Sequence, residues 1–109
     1  MLFKPEHVPM ILEGRKTRTR RLWGFCRVKV GGIYKAKTQM LSKTSFARLK
    51  ITSIKKEKLI VSEINSDKDL DAQKEGYATW DKFKDIWVVI NGSWNQEDEP
   101  YVIDFEVVR

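Results

Sequence analysis

Between Gly14 and Arg21 the chain reads Gly14-Arg15-Lys16-Thr17-Arg18-Thr19-Arg20-Arg21, with five cationic side chains and two hydroxyls in the seven residues after the glycine. Arginine offers a planar fork of donors, lysine a compact charge, and threonine a hydroxyl that donates and accepts. Such a set can neutralise a phosphate or another polyanion, orient it and supply groups that react with it. The same composition also suits a solvated edge strand, because Lys and Arg protect sheet edges from aggregation. Strict strand alternation puts Lys16, Arg18 and Arg20 on one face and Thr17, Thr19 and Arg21 on the other. Lys16 and Thr19 therefore cooperate only if the backbone turns or bulges between them.

The charge distribution favours a polyanionic partner. Residues 1–58 carry 16 Lys or Arg against 3 Asp or Glu, whereas residues 59–109 carry 5 against 12, within a net charge of +6. A division of this kind predicts a strongly positive face that steers anionic partners and binds nucleic acid in a salt-dependent way. A membrane surface is the weaker candidate, since no apolar run approaches the roughly 20 residues of a span and the basic half lacks a helical apolar stripe. Cys26 is the sole cysteine and His7 the sole histidine. No internal disulfide or cysteine zinc site follows from these, a transition metal would have to rest mostly on carboxylates, and no metal or cofactor is expected. The start Met1-Leu2-Phe3-Lys4-Pro5 shows no secretory pattern, and a cytoplasmic protein is expected.

The elements that must position the basic segment follow from local signals. A chain of 109 residues with 41% hydrophobic content suits one domain over residues 1–109. Pro5 and Pro9 permit only a brief helix near Pro9, with Val8, Ile11 and Leu12 on a shared face and Gly14 at its exit. Gly31-Gly32 marks a turn before a strand over residues 33–41, a second strand covers 46–54, and a third covers 101–108. In the second, Phe46, Ala47, Leu49, Ile51 and Ile54 face inward while Arg48 and Lys50 face solvent. A helix is expected behind Ser66 from Asp67 to Glu75, with Asp69 as a capping-box acid and Gly76 as its stop. Another starts behind Thr79 and buries Trp80, Phe83, Trp87 and Ile90, with Ile86 beside them and Gly92 beyond the end. At least four strands are visible, and they are expected to curl into a small barrel. Trp94, in the polar loop over residues 91–100, reads equally as a lid over a pocket or a plug for the barrel end.

A short helix ending Ile11-Leu12-Glu13-Gly14 and followed by the basic run resembles the signature of ASCH domains, small PUA-like barrels associated with RNA. The resemblance continues through Lys29-Val30-Gly31-Gly32-Ile33-Tyr34, Ala72-Gln73-Lys74-Glu75-Gly76-Tyr77 and Tyr101-Val102-Ile103-Asp104-Phe105, and so covers essentially the whole chain. At Gly32 the family often has Asp. The fold implied is α+β, a barrel of about five to six mostly antiparallel strands with flanking short helices.

One small bacterial branch of that family resembles this chain in size and removes the acetyl group from N4-acetylcytidine with a Lys, a Thr three residues later and a Glu from the helical segment. Lys16, Thr19 and Glu75 match those positions. By that resemblance Lys16 is the base that activates the Thr19 hydroxyl, its pKa lowered by burial or a cationic neighbour. Glu75 orients Lys16 or hands a proton to the leaving amine, and Arg21 or backbone amides stabilise the oxyanion. As a binding module, the domain is expected to hold RNA or a modified nucleoside, with phosphates on Arg15, Arg18, Arg20, Arg21, Lys35, Lys37 and Lys50 and a base stacked on Trp94 or Tyr77. A ribonuclease reading also exists for some ASCH proteins; with one histidine, such chemistry would fall to Lys16 and the neighbouring arginines.

Overall fold

The computed structural model describes residues 1–109. Pro5 and Pro9 hold the first helix to little more than a turn, a 3-10 segment Pro5–His7 running into α1 (Val8–Leu12). Ile11 is fully buried, while Leu12 is partly exposed. The strands are β1 (Arg18–Arg21), β2 (Ile33–Ala36), β3 (Ala47–Lys56) and β4 (Tyr101–Val107), with α2 (Leu59–Glu63), α3 (Lys68–Lys74) and α4 (Trp80–Asn91) between the last two strands. The expected helix stops at Gly14, Gly76 and Gly92 all have positive φ. Thr79 caps α4 as expected, its hydroxyl accepting from Lys82 N. Asp67 rather than Ser66 precedes α3. Asp69 does not close a capping box; its carboxylate instead accepts from Trp80 N at 2.8 Å, tying α3 to α4.

The four strands form one antiparallel sheet in the order β1-β4-β3-β2. The expected barrel of five to six strands is not formed. Sheet edges at β1 and β2 are linked through the chain start, by a single parallel bridge from Leu2 to Lys37, by the Met1 amino group donating to Lys35 O and by the Arg21 guanidinium donating to Leu2 O. Closure fails at β1 because the groups a further strand would pair are already used: Thr17 N donates to Lys74 O and Arg20 N to Glu75 Oε1. The end of α3 thus occupies the edge, satisfying donors that must not stay unpaired when buried. β2 stops at Ala36, short of the expected residue 41, because Lys37 turns to the chain start, its N donating to Met1 O and its O accepting from Phe3 N.

One sheet face is apolar. Leu49, Ile51, Ile103 and Phe105 pack there with Phe3, Ile11, Val28 and Ala36. Arg48 and Lys50 point away, as the alternation predicts. An irregularity between Ile51 and Ser53 shifts the register, so Ile54 rather than Ser53 comes opposite Ile103 and joins the core. A second cluster joins Leu59, Ala72, Trp80, Phe83 and Trp87 with Tyr77 and Trp94. Ile90 lies outside it, 63% exposed. Trp94 is neither a lid nor a barrel plug: its ring meets Trp80 and Trp87 edge-on, with centroids 6.1 and 6.4 Å away.

Two glycines have close side-chain neighbours. At Gly32, where the resemblance implied Asp, a Cβ would lie 2.7 Å from the Tyr34 ring. Gly76 has φ +96°, and a Cβ there would sit 3.2 Å from Met10 Cε and 3.3 Å from the His7 ring. Gly76→Ala is expected to destabilise the domain by about 1–2 kcal/mol through left-handed strain alone. A thermal melt equal to wild type would show that the turn relaxes freely.

Candidate functional site

The basic segment is an edge strand, yet its chemistry-bearing groups are not solvated. Lys16 is 3% exposed, Thr19 5% and Glu75 3%. Arg15 to Thr17 precede β1 without strand geometry, so strict alternation does not extend back from Arg18 to Lys16.

Lys16 Nζ donates to Glu75 O at 2.5 Å and Arg18 O at 3.1 Å, and lies 5.9 Å from the centre of the Phe3 ring. Burial lowers its pKa to about 8; Glu75 opposes that shift, while Arg21 and Arg20 add to it. Lys16 and Glu75 are thus brought together, but through the main-chain carbonyl. The Glu75 carboxylate is committed elsewhere, Oε1 to Arg20 N and Oε2 to Arg20 Nη1. Thr19 Oγ1 accepts from Arg21 Nε at 3.0 Å.

Two arginines of the segment are internal. Arg20, its side chain wholly buried, pairs with Glu75 and with Asp71 at 2.6 Å, and its guanidinium lies 5.5 Å from the Trp80 ring and 5.6 Å from that of Phe83. Burial disfavours its charge, but Glu75 and Asp71 outweigh it and hold the pKa above the ordinary value. Arg18 bridges Asp71 and Asp104, each at 2.6 Å. Asp71, despite burial, is held below the usual carboxylate range by hydrogen bonds from Arg20 and Arg18. Arg15 is exposed and pairs with Glu13. Among the four arginines, Arg21 alone has no carboxylate within ion-pair distance.

Arg21 borders a cavity of about 530 Å³ whose polar lining includes His7, Thr19, Glu75 and Tyr77 and whose apolar lining includes Leu22, Trp23, Ile86, Trp87 and Ile90. His7 and Trp23 were not among the residues expected at a site. Burial, reinforced by the charge of Lys16, lowers the His7 pKa to about 4, so at neutral pH the ring offers one donor and one acceptor. It stands edge-on to Tyr77 with centroids 5.2 Å apart. Burial pushes the Tyr77 phenol up to about 12, keeping it a donor. The signal for Trp23 was the alternation itself, which carries the face of Thr19 and Arg21 on to residue 23.

A larger cavity, about 860 Å³, is lined by residues of β1, β3 and α3 with charges of both signs, but it touches none of Lys16, Thr19 and Glu75, and its Arg18 and Asp71 satisfy each other. Lys35 and Lys50 are exposed on β2 and β3, and Lys37 Nζ donates to Ser42 O. Lys35 stands opposite Arg48, and Lys50 opposite Ile33 and Glu106. Lys35 and Lys37 line a separate cavity, and Arg18 and Arg20 are each paired with Asp71.

The antiparallel α+β fold of this chain is that of a solved ASCH domain. A crystal structure of an ASCH domain from Lactobacillus crispatus JV V101 matches 92% of this chain and 69% of its own length, with a TM-score of 0.58 and 16% identity. Protein EF3133 from Enterococcus faecalis V583, of the family DUF984, matches 94% of this chain and 67% of its own, with a TM-score of 0.60 and 17% identity. No family model and no curated protein matches the sequence. No helix is long and apolar enough to cross a membrane.

Proposed function

We propose that this domain binds a nucleoside, free or carried in RNA, in the cavity between β1 and α4. The observation that carries the reading is Arg21, a cation with no acidic partner beside a half-apolar cavity. Its Nε and Nη2 are used by Thr19 and Leu2, and Nη1 donates to no protein atom. A guanidinium edge pairs well with the carbonyl and ring-nitrogen acceptors of a pyrimidine, and Trp23, Tyr77 and Phe83 supply aromatic surface for the base. The cavity volume falls in the roughly 300–1,000 Å³ range of small-molecule sites. Trp87, which lines it, has a buried Nε1 with no partner, a further unused donor.

Calorimetric titration with cytidine and N4-acetylcytidine is expected to show saturable binding that Arg21→Gln weakens about tenfold or more, the worth of one charge-assisted hydrogen bond. A wild-type protein that binds neither nucleoside nor single-stranded RNA would falsify the reading.

Lys16 favours amide hydrolysis as a second reading. With its pKa at about 8, roughly a tenth of the lysine is the neutral amine at pH 7. The amine takes the Thr19 proton once it leaves its carbonyl partners, and the Thr19 oxygen attacks the acetyl carbonyl. Arg21, already on Thr19 Oγ1, stabilises the negative charge as it passes to the tetrahedral oxyanion. Collapse expels the N4 amine of cytidine, which receives the proton from Lys16; water then frees acetate and restores the hydroxyl. Before that transfer Glu75 positions Lys16 through its carbonyl. Cytidine release from N4-acetylcytidine measures this directly, and unchanged turnover in Lys16→Ala would remove Lys16 from it.

A further inference from the structure

We infer that the ligand of this site is phosphorylated, its phosphate seated in a second cavity that adjoins the first; the inference rests on the nucleoside-binding reading above. The second cavity, about 580 Å³, shares Leu2, Arg21 and Trp23 with the nucleoside cavity. Its charged side chains are Arg21, Arg27, Lys35 and Lys37, and no Asp or Glu lines it.

That composition is singular in this protein. Of the four cavities only this one carries cations without an acid, and six other cations of the basic half meet acids: Arg15 meets Glu13, Arg18 and Arg20 meet Asp71, Lys55 meets Glu57, Lys56 meets Glu99 and Lys58 meets Glu97. None of the four cations of the second cavity has a carboxylate within ion-pair distance. Like charges gathered around one concavity repel each other, and an anion placed among them removes that repulsion while gaining hydrogen bonds. Arg27 is set for this: its guanidinium lies 5.6 Å from the ring centre of Trp23 and 5.7 Å from that of Phe25. A guanidinium that offers its face to aromatic rings keeps its edge donors for phosphate oxygens.

The shared wall links the two cavities chemically. Arg21 faces the base on one side and the phosphate on the other, as the sugar of a nucleotide requires. Trp23 borders both cavities and offers a ring on which the base of an adjoining nucleotide stacks. The ligand class is therefore a nucleoside phosphate, as a free mononucleotide or as a residue of an RNA strand.

The test is calorimetry at low salt with cytidine, cytidine 5′-monophosphate and the dinucleotide cytidylyl-uridine, on wild type and on the double variant Arg27→Gln, Lys35→Gln, whose altered residues are both exposed. At least one phosphorylated ligand is expected to bind about tenfold tighter than cytidine. The double variant should lose that gain and keep its affinity for cytidine. A gain confined to the monophosphate identifies a free nucleotide, and a gain for the dinucleotide identifies a strand. Equal affinity for all three ligands overturns the inference and leaves the nucleoside reading standing. A gain that survives the double variant overturns it too, because the phosphate then lies elsewhere. If no ligand binds at all, the nucleoside reading has failed and carries this inference with it.

Discussion

Arg20→Met is expected to destabilise the domain by about 3–5 kcal/mol, the usual consequence of removing one partner from a buried ion pair. Arg20 has no exposed side-chain surface, and its loss strands the Glu75 carboxylate, whose Oε2 it holds. Asp71 keeps Arg18 and suffers less. Set against a total of about 5–15 kcal/mol for a domain, this is a large fraction of the stability. A urea titration reads it as a fall in midpoint, and Glu75→Gln in the same background should recover part of the loss by discharging the stranded acid. Were Arg20 a phosphate ligand on an open surface, the midpoint would stay put and only affinity for RNA would fall. The two behaviours separate cleanly when Arg20→Met is measured beside Arg21→Gln.

Lys16→Met is expected to change stability far less at neutral pH while abolishing any hydrolysis. A folded pKa of about 8 against an ordinary value near 10.5 means that burial penalises the ammonium by on the order of 3 kcal/mol. Methionine removes that penalty but leaves Arg18 O and Glu75 O without a donor, at about 1–3 kcal/mol each, so the two effects roughly cancel. The pH dependence is diagnostic. Above pH 8 the folded domain gives up the Lys16 proton while the unfolded chain still holds it, so wild-type stability rises with pH from 8 towards 10. Beyond that, Tyr77 reverses the trend, because the folded state keeps the phenol proton up to about 12. Lys16→Met should lack the rise and keep the reversal. A variant less stable than wild type at pH 7 would show that the two carbonyl contacts matter more than the buried charge.

What was legible in the sequence was local. The limits of α4 follow from Thr79 and Gly92, the inward face of β3 from alternation, and the importance of residues 14–21 from density of charge. What was hidden lies in pairs far apart in the chain. Arg18 and Asp104 are 86 positions apart, and Arg20 and Glu75 are 55, so the acids that neutralise the basic strand could not be placed beside it. The division of charge between the halves, read as a positive face, is largely internal complementarity between β1 and the acids of α3 and β4. Barrel closure was misjudged for the same reason, since nothing local announces that Glu75 will take the Arg20 amide that a further strand would have used. The short helix α2 also escaped notice: five residues carry little periodicity, and its first amides are held by the distant carbonyls of Asp98 and Gln96.

The place of β4 in the sheet sets the order in which this molecule can be made. The last strand in the chain is an inner one, and it is the only strand neighbour of β1. During vectorial synthesis the positively charged first half therefore leaves the ribosome without its partner strand, and the sheet waits for residues 101–107. Such long-range pairing makes folding slow relative to helical domains of this size. Until β4 arrives β1 has no strand to pair with, although the acids of α3 and its end that neutralise it, Asp71 and Glu75, have already been made, so the edge strand is ordered by helix contacts before it is ordered by the sheet.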